Sequence, residues 1–205
     1  MSHEINNSIA PIASIGETLE KMVDQQYSGT DLDNDLKEGL GVITERAQSL
    51  NVFIQRYQNL AKLPLPTKSL FNIEPLIQSV VLLFPDANIE LDSKELVVYA
   101  DKDQLQQVLV NLLKNACESM YDTPQGAINI HWRKDSQFIE IEILDQGTGI
   151  KNMDNLFVPF YTTKQQGTGI GLSLSRQILV NHGGDLIIKN RPEKAGVQAS
   201  LLIPS

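Results

Sequence analysis

Apolar residues recur at steps of three or four through the first sixty positions. Ile5, Ile9, Ile12, Ile15, Leu19 and Met22 trace one stripe with the period of an amphipathic helix. Ser28-Gly29-Thr30-Asp31 interrupts it with turn and N-cap residues. A second stripe follows through Leu32, Leu36, Leu40, Ile43, Ala47, Leu50, Ile54, Tyr57 and Ala61, and stops before Pro64 and Pro66. The two stripes predict a helical hairpin over residues 1–66. Two amphipathic helices alone bury too little apolar surface to be stable. The hairpin therefore needs a partner, either a second copy in a four-helix-bundle homodimer, the preferred reading, or the rest of its own chain.

From residue 67 onward the pattern mixes periods. It predicts a helix over Glu74–Phe84, with Pro75 in the tolerated first turn. Short strands are expected at 88–91 and 96–100, then a long helix over Asp101–Met120. Residues 127–133 and 138–144 alternate apolar and polar positions and flank Lys134-Asp135-Ser136-Gln137, which predicts a β-hairpin. Glycine-rich turns fill 145–171. A helix then runs to His182-Gly183-Gly184, where glycine ends it, and strands at 185–189 and 197–203 close the chain. Strands with helices confined to one face predict an α+β sandwich over 67–205.

Composition narrows the function classes. The chain of 205 residues is 41% hydrophobic and 20% charged, ordinary for a globular protein. Lys and Arg number 17 against 25 Asp and Glu, a net charge of −8. That balance argues against nonspecific binding to nucleic acid or to an anionic membrane. The single cysteine, Cys117, excludes a disulfide framework and a cysteine-rich metal site, and fits a reducing compartment. The longest run without charge, Ile5 to Gly16, contains Asn6, Asn7, Ser8 and Pro11, so it predicts neither a membrane span nor a signal peptide. The expectation is a soluble, cytoplasmic piece without membrane contact. Because it begins two residues before His3, it reads as part of a larger protein that carries its sensor, and any anchor, elsewhere.

The long helix carries the first chemical signal. Leu105, Val108, Leu109, Leu112 and Ala116 form its apolar stripe, while Gln104, Gln107, Asn111, Asn115 and Glu118 share the adjoining face. Asparagine costs up to ~0.7 kcal/mol per helical site against alanine. Two of them at i and i+4 are either part of a solvated face or neutral oxygen ligands for a hydrated Mg²⁺ on phosphates. Asp145-Gln146-Gly147-Thr148-Gly149 follows a strand. Gly167-Thr168-Gly169-Ile170-Gly171-Leu172 opens a helix, where bare backbone N–H groups favour an anion. No Lys-Ser/Thr follows, so this is not a P-loop, and the spacing does not fit a Rossmann turn. Between them, the aromatics of Phe157-Val158-Pro159-Phe160-Tyr161-Thr162-Thr163-Lys164 are expected to pin a segment whose polar end moves over phosphates.

In order and spacing this set resembles the ATP-binding catalytic domain of histidine kinases, within the gyrase, chaperone, histidine-kinase and mismatch-repair ATPase superfamily. The resemblance covers 67–205: an asparagine box (Asn111, Asn115), a first glycine box (Asp145, Gly147, Gly149), an F box (Phe157, Phe160) and a second glycine box (Gly167, Gly169, Gly171). It implies ATP and Mg²⁺ as ligands. Asp145 would accept from the adenine amine and Asn115 would bind the metal with Asn111 in support. Lys164, the second glycine loop and Leu172 would line the phosphates.

The hairpin gains meaning from this. Ser2-His3-Glu4-Ile5-Asn6-Asn7 resembles the phosphoacceptor box of the family's dimerisation domain. His3 would be the nucleophile, Glu4 would accept its other ring N–H, and Asn7, one turn on, would orient water for dephosphorylation of the partner regulator. Proline usually stands five residues after the histidine, where Ser8 stands here, and Pro11 moves the kink one turn down the helix. His131 and His182 are read as structural. The implied function is ATP-dependent autophosphorylation on histidine and transfer to an aspartate of a response regulator receiver domain. Rivals are an ATP-hydrolysing superfamily member that drives conformational change, a non-catalytic phosphotransfer adaptor, and a related serine or branched-chain-dehydrogenase kinase. Hydrolysing relatives carry a glutamate four residues before the metal-binding asparagine, where this chain has the amide Asn111; His3-Glu4 disfavours the last rival.

Overall fold

The structure is a computed structural model that describes residues 12, 14–16, 18, 38–47, 63–92, 94–121, 126–164, 167–192 and 195–205. The chain divides into two compact units, Met1–Lys62 and Leu63–Ser205. In the first, residues 12, 14–16, 18 and 38–47 are helical. Thr18 and Thr44 each donate a hydroxyl bond to the carbonyl four residues back, Ser14 and Leu40. His3, Glu4 and Asn7 lie outside the described residues, as does most of the expected hairpin. Among the described residues no helix is long and apolar enough to cross a membrane.

The second unit orders its elements as β1 (Ser69–Asn72), α1 (Ile73–Val81), β2 (Ile89–Leu91), β3 (Val97–Ala100), α2 (Lys102–Ser119), β4 (Ile128–Lys134), β5 (Phe138–Leu144), α3 (Gly171–Asn181), β6 (Asp185–Asn190) and β7 (Val197–Pro204). Five strands form one mixed sheet in the order β2-β4-β5-β7-β6, while β1 and β3 pair apart from it. Only β2 and β4 run parallel; the other neighbours are antiparallel. This is the α+β layer arrangement the pattern predicts. β1 is the element that the pattern does not show: four residues after a proline-rich stretch are too few for alternation to register, and its Leu70 is exposed. Helix α1 stops at Val81 rather than Phe84, because Pro85 disfavours helical dihedrals in the residue before it.

The local chemistry explains the remaining boundaries. Asn72 caps α1 by accepting from the Glu74 N–H at 3.2 Å, and Asp101 caps α2 by accepting from Asp103 and Gln104 at 3.1 Å each. In the β4–β5 turn, Asp135 Oδ1 accepts from the Gln137 and Phe138 N–H groups at 2.7 and 2.8 Å, the side-chain mimic of a backbone turn. Strand β5 alternates: Ile139, Ile141 and Ile143 are buried, while Glu140 and Glu142 face outward. On that outer face Arg133 pairs with its cross-strand neighbour Glu140 at 2.6 Å.

Helix α2 buries the expected stripe and Leu113 besides, because α1 and α3 flank it. Each such aliphatic side chain is worth roughly 1.5–3 kcal/mol when fully buried. Gln104, expected on a polar face, is buried instead; its Nε2 donates to the Pro64 carbonyl at 3.0 Å. Asp101 Oδ2 accepts from the Thr67 N–H at 2.8 Å. His182 is buried between two backbone partners: Nε2 accepts from the Asp101 N–H at 3.0 Å, and Nδ1 lies 2.8 Å from the Ile178 carbonyl. His131 sits 3.1 Å from Asp92 on the strand surface. Both histidines serve the fold.

Burial works to raise the Asp101 carboxyl, but the N–H groups of Gln104, Thr67 and Asp103 outweigh it and hold the group below its ordinary value. A depressed carboxylate stabilises the fold above its unfolded value, and the contribution is lost as pH falls through the folded one. Asp101→Ala is therefore expected to destabilise this unit by about 1–2 kcal/mol near neutrality, with the gap to wild type narrowing below roughly pH 4. Trp132 is the only tryptophan in the chain and is buried in this unit's core, so urea unfolding followed by its emission is the measurement.

Candidate functional site

Three positions on one line of α2 meet the three sequence motifs. Asn111, Asn115 and Ser119 are spaced i, i+4 and i+8, which places them on one helix face over about 12 Å of axis. Asn111 Nδ2 donates to Ser175 Oγ of α3 at 2.9 Å, and its amide packs so closely on Gly171 that an added Cβ would fall 2.2 Å from Asn111 Oδ1. Asn115 Oδ1 accepts from Lys164 Nζ at 2.9 Å. Ser119 supports the first glycine cluster: its carbonyl accepts from the Thr148 N–H at 3.3 Å, and a Cβ on Gly147 would clash with its backbone. The motifs, 28 to 60 residues from their partners in sequence, are gathered along one helix.

Asp145 stands at the end of β5 and is 5% exposed. Its Oδ1 accepts from the Gly147 N–H at 2.9 Å and the Val197 N–H at 3.1 Å. Both bonds fall on one oxygen, so Oδ2 is left for a donor from outside. The Asp145 backbone is fixed as well: its carbonyl accepts from Arg191 at 2.8 Å, and Gly196 lies so close that a Cβ there would meet it at 2.1 Å. Gly149 takes a left-handed φ of 75° beside Asn190. The Asn190 amide brackets the next residue, Ile150, accepting from its N–H and donating to its carbonyl at 2.8 Å each.

Segment 157–164 is anchored at both ends. The Arg176 guanidinium lies 4.7 Å from the Phe157 ring centre, a cation–π contact, and also binds Asp185, whose carboxyl that bond holds below its ordinary value against partial burial. Phe160 adopts a φ of 69°, and its N–H donates to the Gly169 carbonyl at 2.8 Å. Gly169 is itself left-handed at 65°, with a Cβ position 2.4 Å from the Phe160 backbone. The polar end is not free as the sequence pattern suggests: Lys164 Nζ bonds Asn115 and the Glu118 carboxylate. Gly167 closes the turn, its N–H donating to the Lys164 carbonyl at 3.2 Å.

Helix α3 begins at Gly171-Leu172 with no side-chain cap and no acidic residue in its first turn, unlike α1 and α2. Its first N–H groups lack intrahelical partners and favour an anion. A metal ion fits beside them by the chemistry of the donors: Asn115 and Glu118 offer hard oxygen, and a cationic ammonium already sits against both. Among the described residues no three His, Cys, Asp or Glu side chains form a metal cluster, so phosphate and water oxygens would complete the shell. Glu118 shares the asparagine face in sequence, yet nothing in the pattern singled it out for a cation. Ser175, Asn190, Arg191 and Gly196 were missed because their partners lie far along the chain.

Residues 100–205 match the family described as histidine kinase-, DNA gyrase B-, and HSP90-like ATPase. The chain belongs to that family. It is 29% identical over 215 residues to the signal transduction histidine-protein kinase AtoS of Escherichia coli (strain K12), covering 100% of this chain and 34% of that protein. It is 28% identical over 199 residues to the C4-dicarboxylate transport sensor protein DctB of Rhizobium meliloti (strain 1021), covering 94% and 32%. The chain thus spans about a third of the length of these relatives. Among solved structures, the catalytic domain of histidine kinase ThkA superposes with a TM-score of 0.59 at 34% identity, covering 67% of this chain and 95% of that one. ThkA in complex with the response regulator protein TrrA gives 0.62 at 27% identity, covering 99% and 60%. The α+β unit is therefore an ATPase-family domain of the histidine-kinase kind.

Gly169→Ala tests the geometry of the second glycine cluster. The added methyl meets the Phe160 backbone in a conformation costing about 1–3 kcal/mol. Affinity for a fluorescent ATP analogue is expected to fall at least about tenfold, while Trp132 emission stays native.

Proposed function

We propose that this chain is the catalytic core of a two-component sensor histidine kinase, which phosphorylates itself on His3 and passes the group to an aspartate of a response regulator. The observation that carries this reading is the meeting on α2 of an amide holding a cation (Asn115), the uncapped start of α3 and, at the far end, the buried carboxylate Asp145. That arrangement suits a nucleotide lying along the helix, with adenine at Asp145 and phosphates at Asn115, Lys164 and the Gly167–Leu172 turn. Family membership supports ATP as the ligand. The solved complex of ThkA with TrrA supports a receiver domain as the partner.

In this reading residues 1–66 form the homodimerising hairpin and 67–205 the ATP-binding domain. Glu4 accepts one ring N–H of His3, fixes the tautomer and leaves the other nitrogen neutral and nucleophilic. That nitrogen forms a bond to the γ-phosphorus as the bond to the β,γ-bridging oxygen breaks, and ADP leaves. Mg²⁺ bound with the nucleotide supplies charge neutralisation on the phosphate oxygens. Asp145 holds the base, Lys164 and the α3 N–H groups orient the phosphates, and Asn111 braces α3 through Ser175. The receiver aspartate then takes the phosphoryl group from the imidazole, and Asn7 positions water for the reverse, hydrolytic duty. Localisation in the cytoplasm follows from the same reading, with anchoring left to segments of the longer relatives.

A specific observation weighs against the hydrolytic alternative. The residue four before Asn115 is Asn111, an amide whose NH₂ is committed to Ser175 and which cannot take a proton from water. The adaptor alternative lacks a use for the intact cleft.

Incubation of the chain with γ-labelled ATP is expected to give an alkali-stable, acid-labile phosphoprotein, absent in His3→Gln. Label that survives acid, or persists in His3→Gln, overturns the reading.

A further inference from the structure

Lys164 sits at a position that the family resemblance gives to phosphate contact, yet its ammonium points elsewhere. It bonds Asn115 Oδ1 at 2.9 Å and the Glu118 carboxylate, on the face where a nucleotide-borne metal would lie. Glu118 is bracketed by a second cation, Lys114, 3.9 Å away on the same helix. Two observations give the contact weight. Lys164 is the charged end of segment 157–164, whose other end is fixed under Arg176 and whose middle is fixed by the Phe160–Gly169 bond. The Lys164 carbonyl also accepts from the N–H of Gly167, four residues before the uncapped start of α3. The ammonium therefore ties the segment across the phosphate end of the cleft.

We propose that Lys164 is a tethered surrogate cation, which occupies Asn115 and Glu118 in the nucleotide-free chain and yields Asn115 when Mg²⁺ arrives with nucleotide. This deepens the kinase reading and rests on it. A metal drawn to Asn115 Oδ1 stands within a few ångströms of the ammonium already bonded there. Two positive charges a few ångströms apart on one carboxylate–amide pair repel. Metal arrival thus releases Lys164 toward the phosphates, the only new negative charge nearby, and frees segment 157–164 from its clasp. Glu118 is the positioning residue that holds the free state. The consequence is a threshold: metal and lysine compete, so the chain engages metal-loaded nucleotide while the empty cleft stays strapped.

The test uses the full chain, with Trp132 emission confirming that each variant is folded. Binding of a fluorescent ATP analogue is followed while Mg²⁺ is raised. Removing the competitor in Lys164→Met is expected to lower the Mg²⁺ midpoint about fivefold, the scale of one partly exposed ion pair, even as affinity in chelator falls or stays level. Separately, in the nucleotide-free and metal-free chain, Glu118→Gln and Lys164→Met are both expected to speed backbone hydrogen exchange in 160–164. A midpoint that is unchanged or raised in Lys164→Met, or exchange unaltered in both variants, overturns the surrogate-cation proposal and leaves the kinase reading standing. Failure of the wild-type chain to bind the analogue at any Mg²⁺ concentration overturns both.

Discussion

Leu105, Val108, Leu109, Leu112, Leu113 and Ala116 turn one side of α2 into the core, against the sheet and between α1 and α3. With 3.6 residues per turn, that burial fixes the rotation of the helix about its own axis. Asn111, Asn115 and Ser119 are then obliged to line the neighbouring edge. Everything chemical is hung on that line: α3 at Asn111, the lysine of segment 157–164 at Asn115, and the first glycine loop at Ser119. A large-to-small substitution in the stripe costs about 2–5 kcal/mol.

The candidate site gathers groups with capacity to spare for a ligand or held in unusual backbone geometry. Helix α3 has no cap, Phe160 is held left-handed at a cost of about 1–3 kcal/mol, and Asp145 is buried with its internal bonds confined to Oδ1. In the proposed reading, phosphate would meet the open N–H groups of α3 and the adenine amine would meet the Asp145 carboxylate. The glycines make this possible by absence of a side chain: Gly147, Gly171 and Gly196 let backbone or amide groups approach where a Cβ would overlap them.

Much of this was legible in the sequence because it depends on local period. The α2 stripe, the β4–β5 hairpin and both glycine clusters show themselves within windows of twenty residues. Asp101, expected as the first residue of the long helix, proves to be its cap. Gln104 was misplaced because its burial depends on the carbonyl of Pro64, forty residues back. Asn190, Arg191 and Gly196 were invisible for the same reason, since their meaning lies in contacts with Asp145 and Ile150 across the sheet. The tie from Lys164 to Glu118 follows from charge but needs the turn geometry to bring them together. The segment carrying His3, Glu4 and Asn7 lies outside the described residues.

In the proposed reading the far end of the α2 line reads adenine through Asp145. Inosine diphosphate replaces the exocyclic amine with an oxygen, so that a carboxylate accepting a hydrogen bond would face another acceptor. A site built around a donor rejects the analogue lacking it strongly, because its buried acceptor is left unpaired. The direct measurement is calorimetric titration of the chain with ADP and with inosine diphosphate at saturating Mg²⁺. Adenine specificity through Asp145 requires binding of ADP and at least about tenfold weaker binding of the inosine nucleotide; equal affinity for the two would contradict it.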